Sequence, residues 1–502
     1  MGNLQSPYEN VIYRGSVVPN AFPHHIAKCS SWLNGPRPII DSFHFLELGC
    51  GDGANLLALA FYYSQSKFTG VDNCMRALDR AQAGAEYLGI DNVQFVLEDA
   101  CEIDPTDFML SDYAVAHGVY SWVTSSAHNA ILDFIRNCLA PSGLAYISYN
   151  AQPGWATRRL VREILLRSRS VQEASIEEKA QRAIEVATQI LEDLPSRDYA
   201  NTVLLAEELE RVRNGKPFYV FHEYLAEYNE GFWLRDFVER ARQNRLGYVG
   251  DAQFCRWEGQ VPNELMESLS RRGLDTIEQE EMADLLCNRY FHASILCRDD
   301  APREFLSHQD IFEQVYLATS LSSSSDPFDL AEGIVETFIG NHRQEVILDS
   351  AITKAAVVLL AAQWPAGMKL ENLYQKASAL LARHRCDVTS SARSQLTEEL
   401  ATLFEAGVVD LRLKEPSFNT VAPEYPKIHA LARYEMECRD ALTTPYHLTL
   451  ALNSQMLEIT AATDGSKSVK QLKKLYGEEI VCQTISILSR WGLLEEQNPV
   501  WI

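Results

Sequence analysis

The chain predicts an α/β protein: a doubly wound parallel sheet, then a mainly helical middle region, then a C-terminal region with a winged-helix-like layout. Three observations carry this. Short apolar strands alternate with helical stretches from Phe43 to about Asn150, the pattern of a parallel sheet covered by helices on its faces. The first strand enters a glycine turn, Gly49-Cys50-Gly51-Asp52-Gly53, that opens a helix. Beyond Trp155 the pattern changes to Glu- and Arg-rich helical periodicity.

In chain order, residues 1–40 precede the sheet, and Ser6–Pro38 is rich in aromatics and prolines (Tyr8, Tyr13, Phe22, Pro23, Trp32, Pro36). That is too apolar for a disordered tail and predicts a lid over the ligand cleft. The Rossmann-like core is expected over 41–170, with strands Phe45–Leu48, Lys67–Val71, Val93–Leu97, Ser111–Ala116 and Gly143–Tyr149. Its crossover helices are Ala54–Ser64, Met75–Leu88 and His128–Cys138, the last stopped by Leu139-Ala140-Pro141-Ser142-Gly143. Residues 171–318 form the helical middle domain, with helices through Ser175–Leu194 and Leu204–Arg213 and few strand signals. The serine run Ser320–Ser325, closed by Asp326-Pro327, reads as a linker. In 328–502, two units of helices each end in a glycine and an apolar strand, Gly407–Leu411 and Gly492–Leu494. This is a winged-helix-like layout, a module that binds DNA or protein.

A chain of 502 residues exceeds one hydrophobic core and predicts two to four domains. Its 46% hydrophobic content is that of folded protein. A formal charge of -23 and a pI near 5.0 argue against nucleic acid or an anionic membrane as a broad partner. Arg383-His384-Arg385 is a basic would-be recognition segment for DNA, whereas the lysines at 467, 470, 473 and 474 read as a solvated helix face. Eleven scattered cysteines without a C-x-x-C pair favour a reducing cytoplasm and no metal site. Met1–Val18 has no apolar segment of signal-peptide length, and no later stretch is apolar enough for membrane insertion. Met1–Ser6 fits the N-myristoylation pattern, a motif short enough to arise by chance. No G-x-S-x-G, H-E-x-x-H or P-loop lysine occurs, so hydrolase, metalloprotease and ATPase readings lose support. Oligomeric state is left open by the sequence.

The glycine turn marks the ligand. Glycines at a strand's carboxyl end let the backbone turn sharply and approach a ligand, and the following helix aims its free N–H groups there. A dinucleotide fingerprint is G-x-G-x-x-G; here the third glycine comes one residue early and Glu47 stands two residues before the first. A carboxylate there repels phosphate and suits a cation. S-adenosylmethionine, with its ammonium and sulfonium and no phosphate, fits that electrostatics. Asp72 follows Gly53 by 19 residues, where an acid accepts both ribose hydroxyls. Asp99 and Ala100 follow the third strand, where a carboxylate accepts the adenine amine. Glu47, Gly49, Gly51, Gly53, Asn55, Asp72, Asn73, Asp99, Ala100 and His117 are therefore the candidate cofactor residues.

The loops after the fourth and fifth strands, Ala116–Val123 and Ser148–Trp155, lie where the transferable methyl faces its acceptor. Methyl transfer from sulfonium is an in-line displacement, so the protein aligns the partners and handles a proton. Tyr120, Trp122, Tyr149, Trp155 and His117 are the catalytic candidates, aromatics being suited to a cation or alkylamine. Each aromatic is equally consistent with core or lid packing.

Tyr8–Tyr13, Leu46–Gly53, His117-Gly118-Val119-Tyr120-Ser121-Trp122-Val123, Ser148–Trp155, Phe221–Leu225, Asn288–Phe291 and Ile295–Cys297 together resemble the bacterial, rickettsial-type lysine methyltransferases of outer-membrane proteins. The resemblance implies a class I methyltransferase fold, a methyltransferase regulatory domain and a helical C-terminal region. It implies a protein substrate and a lysine acceptor, presented by the middle and C-terminal regions. Where that family has Thr-His-Pro ahead of the fold, this chain has Ala21-Phe22-Pro23. A lysine must arrive as the neutral amine, although free lysine has a pKa of about 10.4; Tyr120, Tyr149 or a water held by His117 would take the proton. Methylation of a small molecule or a peptide amide is the alternative, and a DNA-binding regulator using the fold as a cofactor sensor is a second.

Overall fold

The computed structural model describes residues 15–168, 171, 175–194, 200–253, 261, 263–325, 328–340, 344–418, 420–439, 441–495 and 500–501. The myristoylation-like motif, the Tyr8–Tyr13 block, and Asp326 and Pro327 of the expected linker lie outside them. The chain divides into two compact units. The first takes in residues up to Ala21, Ser42–Ala252 and Val261–Pro302; the second takes in Phe22–Asp41, Gln253–Gln260 and Arg303–Ile502.

An eight-stranded sheet organises the first unit: β1 His44–Leu48, β2 Lys67–Asp72, β3 Val93–Leu97, β4 Ser111–Ala116, β5 Leu139–Ala151, β6 Gly231–Phe232, β7 Leu246–Asp251 and β8 Phe291–Arg298. The order is β3-β2-β1-β4-β5-β8-β7, with β6 paired to the end of β5. Strands β1 to β5 are mutually parallel, and β8 runs antiparallel between β5 and β7. The order reverses at β1, which has β2 on one side and β4 on the other. A crevice at such a reversal, beyond the carboxyl ends of the strands, is where an open α/β sheet binds its ligand. All five residues of β1 are buried, as expected of a central strand covered on both faces. The helix Ala54–Tyr62 is apolar nearly all round and buries eight of its nine residues, so it sits inside the covering layer.

Three details differ from the sequence-based expectation. The segment 139–143, expected as a helix stop, already belongs to β5, with a register irregularity opposite Ser111–Tyr113. The region after Trp155 is helical only in part: Trp155–Arg167, Ile176–Asp193, Ala200–Asn214 and Pro217–Val220 pack around Val161, Leu165, Ala183 and Leu209. Then β6, β7 and β8 return to complete the central sheet, because the apolar run of β8 finds two strand partners far away in sequence.

In the second unit, helix Pro23–Trp32 packs on this unit's own core, Trp32 stacking on His308 at 4.0 Å and meeting Phe312 and Phe404 edge-on. The expected lid is thus divided: Gly15, Ser16 and Val18 line the cleft of the first unit, while residues from Phe22 onward belong to the second. A three-stranded sheet of Met368–Lys369, Tyr316–Ala318 and Asp410–Arg412 accompanies helices Ala351–Gln363, Leu370–Arg383 and Ala392–Glu405. A further core around Ile428, Ile459, Leu472 and Leu488 gathers the helices from Ala430 to Arg490. The serine run is folded rather than a free linker: Ser322–Ser323 pairs with Phe338–Ile339, and Leu321 is buried. No helix among the described residues is long and apolar enough to cross a membrane.

Candidate functional site

At the carboxyl end of β1 the chain reverses through three left-handed glycines, Gly49, Gly51 and Gly53, with φ of 70°, 54° and 71°. Residues with a Cβ rarely adopt this conformation. At Gly51 a Cβ would meet nothing within 4 Å, so the backbone there is bare to the cleft. Gly53 serves packing instead. A Cβ on it would stand 2.9 Å from that of Ala81, and the residue caps helix Ala54–Tyr62 rather than lining the cleft. Asp72, at the end of β2, ties the turn together. Its Oδ2 accepts from the Gly51 amide at 2.8 Å and its Oδ1 from the Cys74 amide at 2.9 Å. Each oxygen keeps a second lone pair for a ligand hydroxyl.

Glu47 is buried beneath the turn, and Asn55 donates its Nδ2 to both carboxylate oxygens at 3.2 and 3.3 Å. The Asn55 Oδ1 accepts from the Val18 amide at 3.0 Å, which fixes the strap Gly15–Val18 beside the turn. Gly15 passes so close that a Cβ would lie 2.5 Å from Asp52 Oδ1. Burial raises the Glu47 pKa to about 8, against the opposing hydrogen bond from Asn55. Such a carboxyl ionises readily only when a cation arrives to compensate it.

These groups border a cavity of about 600 Å³, within the size range of cofactor sites. Glu47, Gly49, Gly51, Asn55, Asp72 and Asn73 line it. Asp99, Ala100, His117 and Trp122 do so as well. Asp99 accepts from the Cys101 amide at 2.8 Å and from Asn73 Nδ2 at 3.4 Å at the end of β3. His117 places Nδ1 3.2 Å from the Tyr146 hydroxyl and 3.1 Å from Ser148 Oγ, and burial lowers its pKa to about 4.

Tyr120, Tyr149 and Trp155 require correction: none lines the cleft, and all three are packed inside. Side chains alternate along a strand, so Tyr146 and Ser148 of β5 face His117 while Tyr149 faces the opposite layer. There Tyr149 meets Phe237 at 4.2 Å, and its hydroxyl lies 3.0 Å from Ser294 Oγ. Tyr120 stacks on His128 at 4.6 Å and meets Phe232 and Phe237 edge-on. Trp155 fills the space left by Gly231, where a Cβ would be 2.4 Å from the indole.

Their place at the cleft is taken by residues that the sequence does not assign to the site: Tyr219, Phe221, His222, Glu227, Tyr228 and Phe291. The Trp122 indole stacks on the His222 ring at 4.6 Å and donates its N–H to the His222 carbonyl at 3.1 Å. Burial holds the His222 pKa down at about 4. The available signal is the block Phe221–Leu225, which carries a family resemblance but no role of its own.

Among the described residues, Asp251, Glu280 and His292 are close enough together to hold a metal ion. The geometry is instead that of a buried ion-pair cluster. His292 Nδ1 lies 2.7 Å from Asp251 and Nε2 lies 2.8 Å from Asp284, so both ring nitrogens are engaged. None of these four residues lines the cleft.

Residues 45–143 match the family model of a methyltransferase domain, and residues 216–298 that of a predicted methyltransferase regulatory domain. PKMT2 from Rickettsia typhi superposes with a TM-score of 0.83 at 24% identity, over 96% of this chain and 99% of that one. Its complex with AdoHcy gives 0.85 at 23%, with the same coverage. The fold is that of a class I methyltransferase. An uncharacterized protein of Rickettsia prowazekii is 28% identical over 296 residues, 59% of this chain and 53% of that protein. One from Synechocystis is 28% identical over 258 residues, 51% of each. The chain thus spans about half the length of these two relatives. S-adenosylmethionine is the cofactor of the methyltransferase domain, and the residues present fit it. The bare backbone at Gly51 admits close approach, the buried Glu47 awaits a cation, and Asp72 and Asp99 stand at successive strand ends. The regulatory-domain match contains the wall Tyr219–Tyr228 and strand β8.

Proposed function

We propose that the chain transfers the methyl group of S-adenosylmethionine to the side-chain amine of lysine in a protein or peptide. The observation that carries this reading is the wall made by Trp122, Phe221, His222, Glu227 and Tyr228. It offers aromatic faces and an exposed carboxylate at Glu227, and none of these five side chains is a lysine or arginine. His117 and His222, with pKa values lowered by burial to about 4, are neutral at physiological pH. The arginines that line the cleft, Arg76 and Arg80, come from helix Met75–Leu88 after β2, on the side of Asp72. A cationic alkyl chain is favoured by aromatic faces and by a carboxylate, and no fixed positive charge on the wall opposes it.

The bound cofactor supplies an electrophilic methyl on a sulfonium. The protein aligns the amine with it, and an amine brought beside the sulfonium's positive charge has its pKa lowered. The proton leaves to solvent at the rim, where Glu227 and Tyr228 are exposed. His117, held by two hydroxyls, keeps its ring in one orientation beside the cleft. The resemblance of the His117–Val123 and Ser148–Trp155 blocks to rickettsial-type lysine methyltransferases supports the same acceptor.

The test is to supply methyl-labelled cofactor and bacterial extract whose protein lysines are either free or blocked by acetylation. Label entering protein only when lysines are free supports the reading. Equal labelling of blocked protein, or label confined to small molecules, refutes it.

A further inference from the structure

The wall Phe221–Tyr228 borders the cleft without belonging to the sheet or to a regular α-helix. Phe221–Leu225 is a wide turn of i→i+5 bonding, and residues 226–230 are irregular. The end of such a turn leaves carbonyl groups without main-chain donors. Helix Trp155–Arg167 supplies the donors from behind. Arg162 donates from Nη1 to the Tyr224 carbonyl at 2.7 Å, and from Nη2 to the carbonyls of Ala226 at 2.5 Å and Glu227 at 3.2 Å. One turn earlier, on the same helix face, Arg158 donates to Glu223 at 2.7 Å, pairs with Glu208 at 3.1 Å and lies over the Tyr290 ring. Both arginines are buried, and neither lines the cleft.

Other ties hold the edges of the wall. Trp122 donates to the His222 carbonyl at 3.1 Å, Asn229 donates to the Glu223 carbonyl at 2.8 Å, and the Glu230 amide donates to the Ser121 carbonyl at 2.9 Å. The stretch that carries Glu227 and Tyr228 to the rim rests on Arg162. A planar guanidinium with five donors can serve three carbonyls at once, which a lysine ammonium on a flexible stem does poorly.

We propose that Arg162 is a positioning residue for the methyl acceptor. By clamping the carbonyls of Tyr224, Ala226 and Glu227 it sets where Glu227 and Tyr228 stand at the rim, and through them how the acceptor binds, while touching neither acceptor nor cofactor. This rests on the reading above that the wall receives the acceptor.

The full-length Arg162→Lys and Arg162→Gln variants test it through three readouts: AdoHcy affinity by calorimetry, kcat and KM for a lysine-bearing protein acceptor, and hydrogen exchange of the amides from Tyr224 to Glu230. The expected result is a KM raised about tenfold in Arg162→Gln and less in Arg162→Lys, with AdoHcy affinity within about twofold of wild type and faster exchange confined to this stretch. An unchanged KM, a loss of AdoHcy affinity matching the change in KM, or unchanged exchange would overturn it. Should Arg162→Gln fail to fold, Arg162→Lys decides by the same readouts. Should the wild type methylate no protein, the acceptor reading falls and with it the acceptor role of Arg162; the exchange pattern then decides whether the clamp itself exists.

Discussion

Asn55 holds the buried carboxylate of Glu47 through both oxygens, at 3.2 and 3.3 Å. Burial, against that hydrogen bond, raises the pKa of this acid to about 8. A folded pKa above the unfolded value means that the protonated form is favoured until pH passes about 8, and a bound cation reverses that preference. Binding of S-adenosylmethionine at pH 7 is expected to release a proton, and its affinity should rise from pH 6 to about 8 and then level. Calorimetry in two buffers of different ionisation enthalpy measures the release. In Glu47→Gln the proton release should vanish, and an undiminished release would place the titrating group elsewhere.

Asp72 serves both the turn and the proposed ribose site, accepting from the Gly51 and Cys74 amides. Asp72→Ala is expected to weaken AdoHcy binding about a hundredfold, ~2.7 kcal/mol, the scale of one lost hydrogen bond to a charged group. Calorimetry checks this, with circular dichroism confirming the fold. Undiminished binding by a folded variant would remove Asp72 from the cofactor site.

Tyr149 packs against Phe237 on the layer away from His117. Tyr149→Phe should leave kcat within about twofold while lowering stability by about 1 kcal/mol, the cost of the hydrogen bond with Ser294. Steady-state rates and urea unfolding separate these effects, and a large fall in kcat at unchanged stability would restore the tyrosine to a chemical role.

His292 lies between Asp251 and Asp284 in the core. Burial opposes its charge, but the two carboxylates prevail and raise its pKa to about 9. A raised folded pKa contributes stability that is fully present below the unfolded value of about 6.5 and is lost as pH rises through about 9. The melting temperature should therefore fall across that window. His292→Gln, which cannot carry the charge, should be destabilised by roughly 3–5 kcal/mol at pH 6 and lose this part of the pH dependence. An unaltered profile would show that the imidazole is not charged in the fold.

What the sequence makes legible is local. The turn Gly49–Gly53, Glu47, Asp72 and Asp99 are recognisable because each sits at or just beyond a strand end, and their spacing along the chain orders them. Tyr149 is misplaced by sequence reasoning because facing depends on parity along β5, and parity is set by pairing with β8, whose Phe291–Cys297 lies about 150 residues away. The wall at His222 escapes for a related reason: it meets Trp122 across 100 residues of chain, and no local pattern records that contact. The serine run reads as a linker because its composition is polar, yet Leu321 within it is buried and the chain there pairs with Phe338–Ile339. Arg162 looks like one more charge on a surface helix, since its partners are main-chain carbonyls that no sequence motif displays.

The central claim is that a lysine amine receives the methyl group. It is tested most directly by incubating the protein with methyl-labelled S-adenosylmethionine and protein acceptors, hydrolysing the labelled protein in acid and separating the amino acids. The account predicts label in methylated lysines, strongly reduced by Asp72→Ala at limiting cofactor. Label recovered in other methylated residues, or as base-labile methyl ester with none in lysine, would contradict it.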